Sequence, residues 1–227
     1  MYDSAVADRY GKTRAGSRAR KRARSVIDAS RAFDIAIAIA VIIFTLPLLV
    51  AIAVAVWSQD GGPALFAHER IGRGGRKFKC LKFRSMVIDS EQRLKEVLKR
   101  DAKARAEWAR DHKLRCDPRI TRIGDFLRRS SLDELPQLFN VLRGDMSIVG
   151  PRPIVSAEVP RYGRHFNSYC EVRPGITGLW QVSGRNDISY RRRVAMDSVY
   201  ARNKSLGWDI KLLVLTVPAV LFANGSY

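Results

Sequence analysis

Apolar positions are unevenly spread along this chain, and one block dominates. From Ile35 to Trp57 there are 23 consecutive uncharged residues, mostly aliphatic. A helix needs about 20 apolar residues to cross the hydrocarbon of a bilayer, so residues 31–58 are expected to form a membrane helix. Residues 1–30 carry little apolar periodicity and read as a disordered basic arm. Residues 59–227 alternate short apolar runs with polar turns. Asp60-Gly61-Gly62-Pro63 marks a turn, and the Gly- and Arg-rich stretch from Glu69 to Arg76 has the pattern of a β-hairpin loop. Lys77 to Val87 alternates as a strand, with Lys82 and Arg84 on one face. Asp89 to Arg115 mixes both charge signs at helical spacing, with Leu94, Val97 and Leu98 as a thin apolar stripe. It predicts a solvated helix without evident chemistry, with Trp108 as a packing or interfacial residue. Leu212 to Ala223 is twelve uncharged residues interrupted by Pro218. That is too short to span and predicts a buried or interfacial helix. The expected fold is α+β and mostly helical.

Charge decides how the apolar block is read. The chain carries 41 Lys and Arg against 22 Asp and Glu, a formal net charge of +19. Such a surplus calls for an anionic partner: nucleic acid, an anionic leaflet or phosphorylated substrates. Lys and Arg accumulate on the cytoplasmic side of spanning helices. Here both flanks are basic. Nine Lys and Arg precede the block within the first 31 residues, and seven, against the single acid Glu69, lie in Ala67 to Arg84. Pro47, near the middle, removes a backbone donor and bends a helix. Two architectures follow: a kinked spanning helix, or a re-entrant one that breaks at Pro47 and returns. The two-sided charge favours the re-entrant form, and either would hold the chain against anionic bilayer lipids. The three cysteines, Cys80, Cys116 and Cys170, form neither a metal motif nor an even disulfide framework, and read as packing residues.

The densest chemistry lies between Thr121 and Pro153. Ser131 followed by Glu134 is a capping box; the alternative frame makes Asp133 the cap, with Pro136 in the first turn. Either frame puts Asp133 and Glu134 in a first helical turn, and Gly144 ends that helix. Acids are common in first turns because they oppose the helix dipole, so the pair alone defines no site. Its company changes that. Arg128 and Arg129 lie one turn before it, and Arg152 is fixed between Pro151 and Pro153. A helix start surrounded by arginines suits phosphate, and a carboxylate there can bind a bridging Mg²⁺ or attack phosphorus itself.

Several motifs in order carry a resemblance. They are Arg31-Ala32-Phe33-Asp34, Lys82-Phe83-Arg84-Ser85-Met86, and Ser131 through Leu138. Gly144-Asp145-Met146-Ser147-Ile148-Val149-Gly150-Pro151-Arg152-Pro153 and Arg173 through Arg185 complete the set. From Arg31 to Tyr227 the chain resembles the bacterial polyprenyl-phosphate hexose-1-phosphate transferases, and most of all the rhizobial exopolysaccharide galactosyl-phosphate transferases. The resemblance implies a monotopic protein with a re-entrant helix and a cytoplasmic catalytic domain at the bacterial inner membrane. It implies transfer of hexose-1-phosphate, galactose before glucose, from a UDP-sugar to undecaprenyl phosphate, the first step of exopolysaccharide repeat-unit assembly. Asp133 would be the nucleophile and Glu134 its partner, both as Mg²⁺ ligands. Arg128 would face the lipid headgroup and Arg152 the nucleotide phosphates, with Lys82 and Arg84 as further substrate contacts. Relatives also suggest a homodimer.

The chain departs from the family at Ser30-Arg31, where a Lys-Arg pair is usual, and at Leu46-Pro47, where Ser-Pro is frequent. Thr45 stands next to the missing hydroxyl. Arg191, Arg192 and Arg193 form a triplet where the family commonly carries an acid, and read as a solvated basic face near the membrane. A nucleic-acid partner is disfavoured, because no recognition helix or aromatic-basic strand motif accompanies the charge.

Overall fold

The computed structural model describes residues 17–111, 114, 116–184 and 188–221. Its longest element is helix α1, Ser17–Trp57, and the rest of the chain folds around the two ends of that helix's apolar stretch. Ala38 is buried in one apolar cluster with Leu138, Val141, Met146, Ile148, Val149, Tyr200 and Leu212. Leu49, Ile52 and Val56 are buried in a second, with Phe83 and Leu127. Leu135 packs against both clusters and joins them. Between the two docked ends, Ile43, Phe44, Leu46, Leu48 and Val50 are exposed, Phe44 by 87%. Exposed apolar surface in the middle of a helix docked at both ends has no partner within the fold.

Polar tethers fix the first docked end. The Asp34 carboxylate accepts from the Ser147 hydroxyl (2.8 and 2.9 Å) and the Ile148 amide (2.9 Å). Ser30 donates to Asp209 (3.1 Å), and Arg31 to the Leu142 carbonyl (3.1 Å). The Arg31-to-Asp34 motif is therefore a docking sequence. The helix passes through Pro47. The Thr45 hydroxyl donates back to the Val41 carbonyl at 2.7 Å, a contact that bends helices. Residues 17–30, expected in a disordered arm, are instead helical and continuous with the apolar segment. Ala, Arg and Lys are strong helix formers, and extending an existing helix avoids the cost of nucleation. The remainder of the arm lies outside the described residues.

Beyond α1, β1 (Leu65–Ile71) and β2 (Lys77–Phe83) form an antiparallel hairpin closed by the turn Arg73–Gly75, as the Gly-Arg pattern predicts. The strand expected to reach Val87 stops at Phe83, because Arg84 turns back to Asp60. The single solvated helix expected from Asp89 is two, α2 (Ser90–Arg100) and α3 (Ala102–Asp111). Asp101 leaves the helical region (φ −117°, ψ 112°) and its carboxylate caps α3 through the amides of Lys103 and Ala104. Trp108 lies under the Arg119 guanidinium, 5.0 Å away. Helix α4 (Arg122–Arg129) is capped by Thr121, and α5 (Gln137–Arg143) ends on Gly144 at φ +91°. Strand β3 (Ser147–Val149) pairs in parallel with β4 (Gly175–Thr177). Short helices α6 (Val159–Tyr162), α7 (Phe166–Glu171) and α8 (Leu179–Val182) lead to α9 (Tyr190–Asn203) and α10 (Leu206–Leu221). Helix α10 buries Leu212 and exposes Val214, Leu215 and Val217.

The backbones of two of the quoted motifs touch. A methyl group on Gly175 would lie 2.0 Å from the Gly150 amide nitrogen, and one on Gly178 would lie 2.3 Å from the Gly150 carbonyl oxygen. Only glycines permit this approach, and it fixes the start of the Pro151-Arg152-Pro153 loop.

A third cluster contains Ile71, Ile154, Tyr162, Tyr169 and Val194. Asp197 is buried beside it and accepts from the Tyr162 hydroxyl at 2.7 Å. Burial pushes this carboxyl up to about 7; the Tyr162 hydrogen bond and Arg193 pull it back only in part. The unfolded chain releases that proton near pH 4, so the native state binds more protons between about pH 4 and 7, and stability falls as pH rises through that window. Asp197→Asn is expected to remove this fall. Its melting temperature in detergent should match wild type near pH 4.5 and exceed it at pH 8.

Candidate functional site

The two acids lie in a 3₁₀ turn, Leu132–Glu134, that precedes α5. Neither sequence frame for the helix start is observed. Ser131 makes no side-chain cap and adopts φ +58°, the one left-handed non-glycine residue among those described. Glu134 does not reach back to it, because a stronger partner is available. Lys82, on β2, places Nζ 2.6 Å from Glu134 Oε1 and 3.3 Å from Asp133 Oδ2. Arg152 approaches the same Glu134 oxygen at 3.6 Å from the opposite motif. A strained backbone held directly before a buried carboxylate is a recurrent mark of a functional turn.

The two carboxyls differ electrostatically. Burial raises Asp133 above the ordinary carboxylate value and the Glu134 charge adds to this; Lys82 and Arg128 oppose it without reversing it. Burial also works against Glu134, but Lys82 and Arg152 outweigh it and hold this acid below its ordinary value. The charged form is thus favoured at Glu134 and disfavoured at Asp133.

Of the candidate residues, Asp133, Glu134, Lys82 and Arg152 are brought into direct contact. Arg128 stands close by: its Nε donates to Ser85 Oγ at 2.9 Å, and burial lowers its pKa while the Asp133 charge raises it. Arg84 is not in the group. Its guanidinium is buried and donates to both Asp60 oxygens (2.5 Å each), the Pro63 carbonyl (2.7 Å) and the Val56 carbonyl (3.3 Å). It closes the chain after α1, with four of its five N–H donors spent on Asp60, Pro63 and Val56. Arg193 stacks over Trp180 at 4.5 Å and its Nε donates to the Ile188 carbonyl, while Arg191 and Arg192 are exposed, as expected of a solvated face.

Arg70 is a participant the sequence did not single out. It donates to the Pro153 carbonyl (3.3 Å) and approaches Glu158 (3.9 Å), bracing the loop that carries Arg152. Tyr169 braces it too, donating to the Ile71 carbonyl (2.6 Å) and accepting from the Ile154 amide (3.3 Å). The signal was the alternation of β1, readable only once its register against β2 is known. A separate cleft of about 670 Å³, lined by Gln59, Asp60, Val87, Ile88, Thr121 and Arg122 among others, contains none of the reactive groups. The chemistry is placed at the carboxylates rather than there.

A metal would have to be held by few protein atoms. Among the described residues, no cluster of three His, Cys, Asp or Glu side chains exists. Asp133 Oδ1 and Glu134 Oε2 accept no hydrogen bond from a described residue. One or two carboxylates completed by water and phosphate oxygens is the usual protein contribution to Mg²⁺, so the donor set fits that ion.

The Asp133–Glu134 pair, faced by Lys82 and Arg152, belongs to a chain whose helix α1 is long and apolar enough to cross a membrane (mean hydropathy 3.0). The bacterial sugar transferase family model matches residues 25–223, and the chain belongs to that family. The chain is 59% identical to the UDP-galactose-lipid carrier transferase of Erwinia amylovora over 75% of its length and 36% of the relative's. It is 48% identical to the exopolysaccharide production protein ExoY of Sinorhizobium fredii over 88% of both chains. It is 42% identical to the UDP-glucose:undecaprenyl-phosphate glucose-1-phosphate transferase of Xanthomonas campestris, over 73% of this chain and 33% of that one. The chain thus spans about a third of the first and third of these relatives and most of the second.

Proposed function

We propose that this chain is a phosphoglycosyl transferase that moves hexose-1-phosphate from a UDP-sugar to undecaprenyl phosphate and releases UMP. The observation that carries the proposal is the Asp133–Glu134 pair, held by Lys82 and faced by Arg152 and Arg128. Asp133 is the nucleophile. A carboxylate oxygen bonds to the β-phosphorus, and the bond from that phosphorus to the bridging oxygen breaks, its electrons leaving with UMP. An oxygen of the lipid phosphate then attacks the same phosphorus, the aspartyl bond breaks and the carboxylate is restored. Arg152 receives the charge that develops on the nucleotide phosphates, and Arg128, anchored on Ser85, orients the lipid phosphate. Glu134 stays charged through Lys82 and Arg152 and keeps Lys82 beside the reacting oxygen. Mg²⁺, held by Asp133 and Glu134, would supply charge neutralisation of the phosphates. Galactose is the proposed hexose and glucose the alternative, since relatives of both kinds are similar to the chain. The test is UMP release by the purified protein with UDP-galactose or UDP-glucose, undecaprenyl phosphate and Mg²⁺.

The proposed setting is the cytoplasmic face of the bacterial inner membrane, with α1 re-entrant and the two-sided basic charge against anionic lipids. What supports it is the docking of both ends of the apolar stretch on one folded body, Asp34 on Ser147 and Val56 on Arg84, with exposure greatest in the middle, at Phe44. A helix spanning the bilayer would carry one of those ends to the far side. Single cysteines at Ala29 and Gln59, with Cys116 and Cys170 changed to Ser, test this. An impermeant maleimide is expected to label both in inside-out vesicles and neither in intact spheroplasts. Labelling of either from outside would establish a span.

A further inference from the structure

Strand β1 runs along the site, and its side chains alternate. Phe66, His68 and Arg70 pair with Lys82, Cys80 and Phe78 across the ladder, so all six share the face that carries Lys82 to the carboxylates. Most of that face is already committed: Lys82 to the acids, Arg70 to the Pro153 carbonyl, Cys80 to the core. Phe66 and His68 are not. Both are exposed, Phe66 by 53%, and neither belongs to an apolar cluster. Their rings stack with centroids 6.0 Å apart and planes inclined by 27°. His68 makes no hydrogen bond to a described residue. Partial burial, with Arg70 and Lys82 nearby, lowers its pKa and favours the uncharged ring, which has one donor and one acceptor nitrogen.

A pair of exposed, stacked rings ending in a neutral donor–acceptor edge suits a pyranose. The C–H face of the sugar covers the rings, and its hydroxyls exchange hydrogen bonds with the imidazole. Anionic groups have better partners in Lys82 and Arg152, which leaves the uncharged part of the substrate for this place. Phe66 lies directly opposite Lys82, about 5 Å across the ladder. We propose that Phe66 and His68 form the hexose subsite for the UDP-sugar, with His68 reading the hydroxyl pattern. This rests on the transferase reading above and names the part of the substrate that its phosphate-binding groups leave unassigned.

The experiment is UMP release at saturating lipid, with UDP-galactose and UDP-glucose varied, for wild type, Phe66→Ala, Phe66→Tyr and His68→Ala. Inhibition by UMP, which has no hexose, is measured alongside. Phe66→Ala and His68→Ala are expected to raise KM for the preferred UDP-sugar about tenfold or more and to leave UMP inhibition unchanged, while Phe66→Tyr keeps the wild-type KM. His68→Ala should also narrow the ratio between the two sugars. An unchanged KM in both alanine variants, with UMP still released, overturns the subsite alone. So does UMP inhibition that weakens in step with KM, which would mean a nucleotide or global defect. So does loss of vesicle binding by Phe66→Ala at unchanged KM, which would make Phe66 a lipid contact. No UMP release by wild type overturns the transferase reading, and the subsite with it.

Discussion

Asp133→Asn is expected to lower UMP release by roughly 10³-fold or more, because an amide is a far weaker nucleophile than the carboxylate and Glu134, the other acid of the pair, is engaged by Lys82 and Arg152. The same change should leave the protein as stable as wild type or slightly more so. Burial raises the Asp133 pKa, so the folded state already disfavours the charge that the variant removes. Lys82 keeps its shorter contact, the 2.6 Å one to Glu134. Activity and stability therefore separate at this position, and thermal unfolding beside the UMP assay reads both. A variant that still releases UMP at a wild-type rate would show that Asp133 only shapes the turn. Glu134→Gln should behave differently. It strips Lys82 and Arg152 of their shared partner, so it should lose stability together with activity.

Gly175→Ala is expected to be among the most destabilising single changes in the chain. The new methyl would lie 2.0 Å from the Gly150 nitrogen and 2.5 Å from the Thr177 oxygen, both backbone atoms that cannot rotate away. Relief requires separating β3 from β4, and with them the entry to the Arg152 loop. A cost above about 4 kcal/mol is expected, enough to consume much of the stability of a typical domain. The control is Gly207→Ala, in α10, where nothing lies within 4 Å of the added methyl. It should be neutral or stabilising by about 0.5–1 kcal/mol. Melting temperatures in the same detergent compare the two directly. Equal melting temperatures would show that the β3–β4 contact can open without cost.

Much of this was legible in the chain because it depends on local pattern. The apolar block, the Gly-Arg hairpin loop, the Gly144 stop and the proximity of Asp133, Glu134 and Arg152 each follow from spacing or from residues that restrict the backbone. What was not legible depends on which partner wins in three dimensions. Ser131 and Glu134 spell a capping box, yet a lysine 52 positions away in sequence captures the glutamate, and a charged partner outcompetes a backbone amide. Lys82 and Arg84 look equivalent on an alternating strand. The strand ends between them, and Asp60 takes Arg84 out of the site. Asp101 looks like one more charge on a long helix, but its short side chain bonds the amides ahead of it and begins a new one. Asp34 gave no local sign of its role, since its partners lie more than a hundred residues on.

That last distance has a consequence for how the protein is made. Helix α1 leaves the ribosome first, and Ser147, which satisfies the Asp34 carboxylate, follows 113 residues later. At about 5–20 residues per second, the interval is roughly 6 to 23 s. Throughout it the Asp34 end of the apolar stretch lacks its partners Ser147 and Ile148, although Phe83 and Arg84 are already made for the Val56 end. With α1 in the bilayer, as proposed above, insertion would precede completion of the fold, and the rest of the chain would assemble onto a helix already lodged in lipid. A chaperone or insertion factor acting on this protein would have to recognise α1 alone, before the carboxylate pair exists.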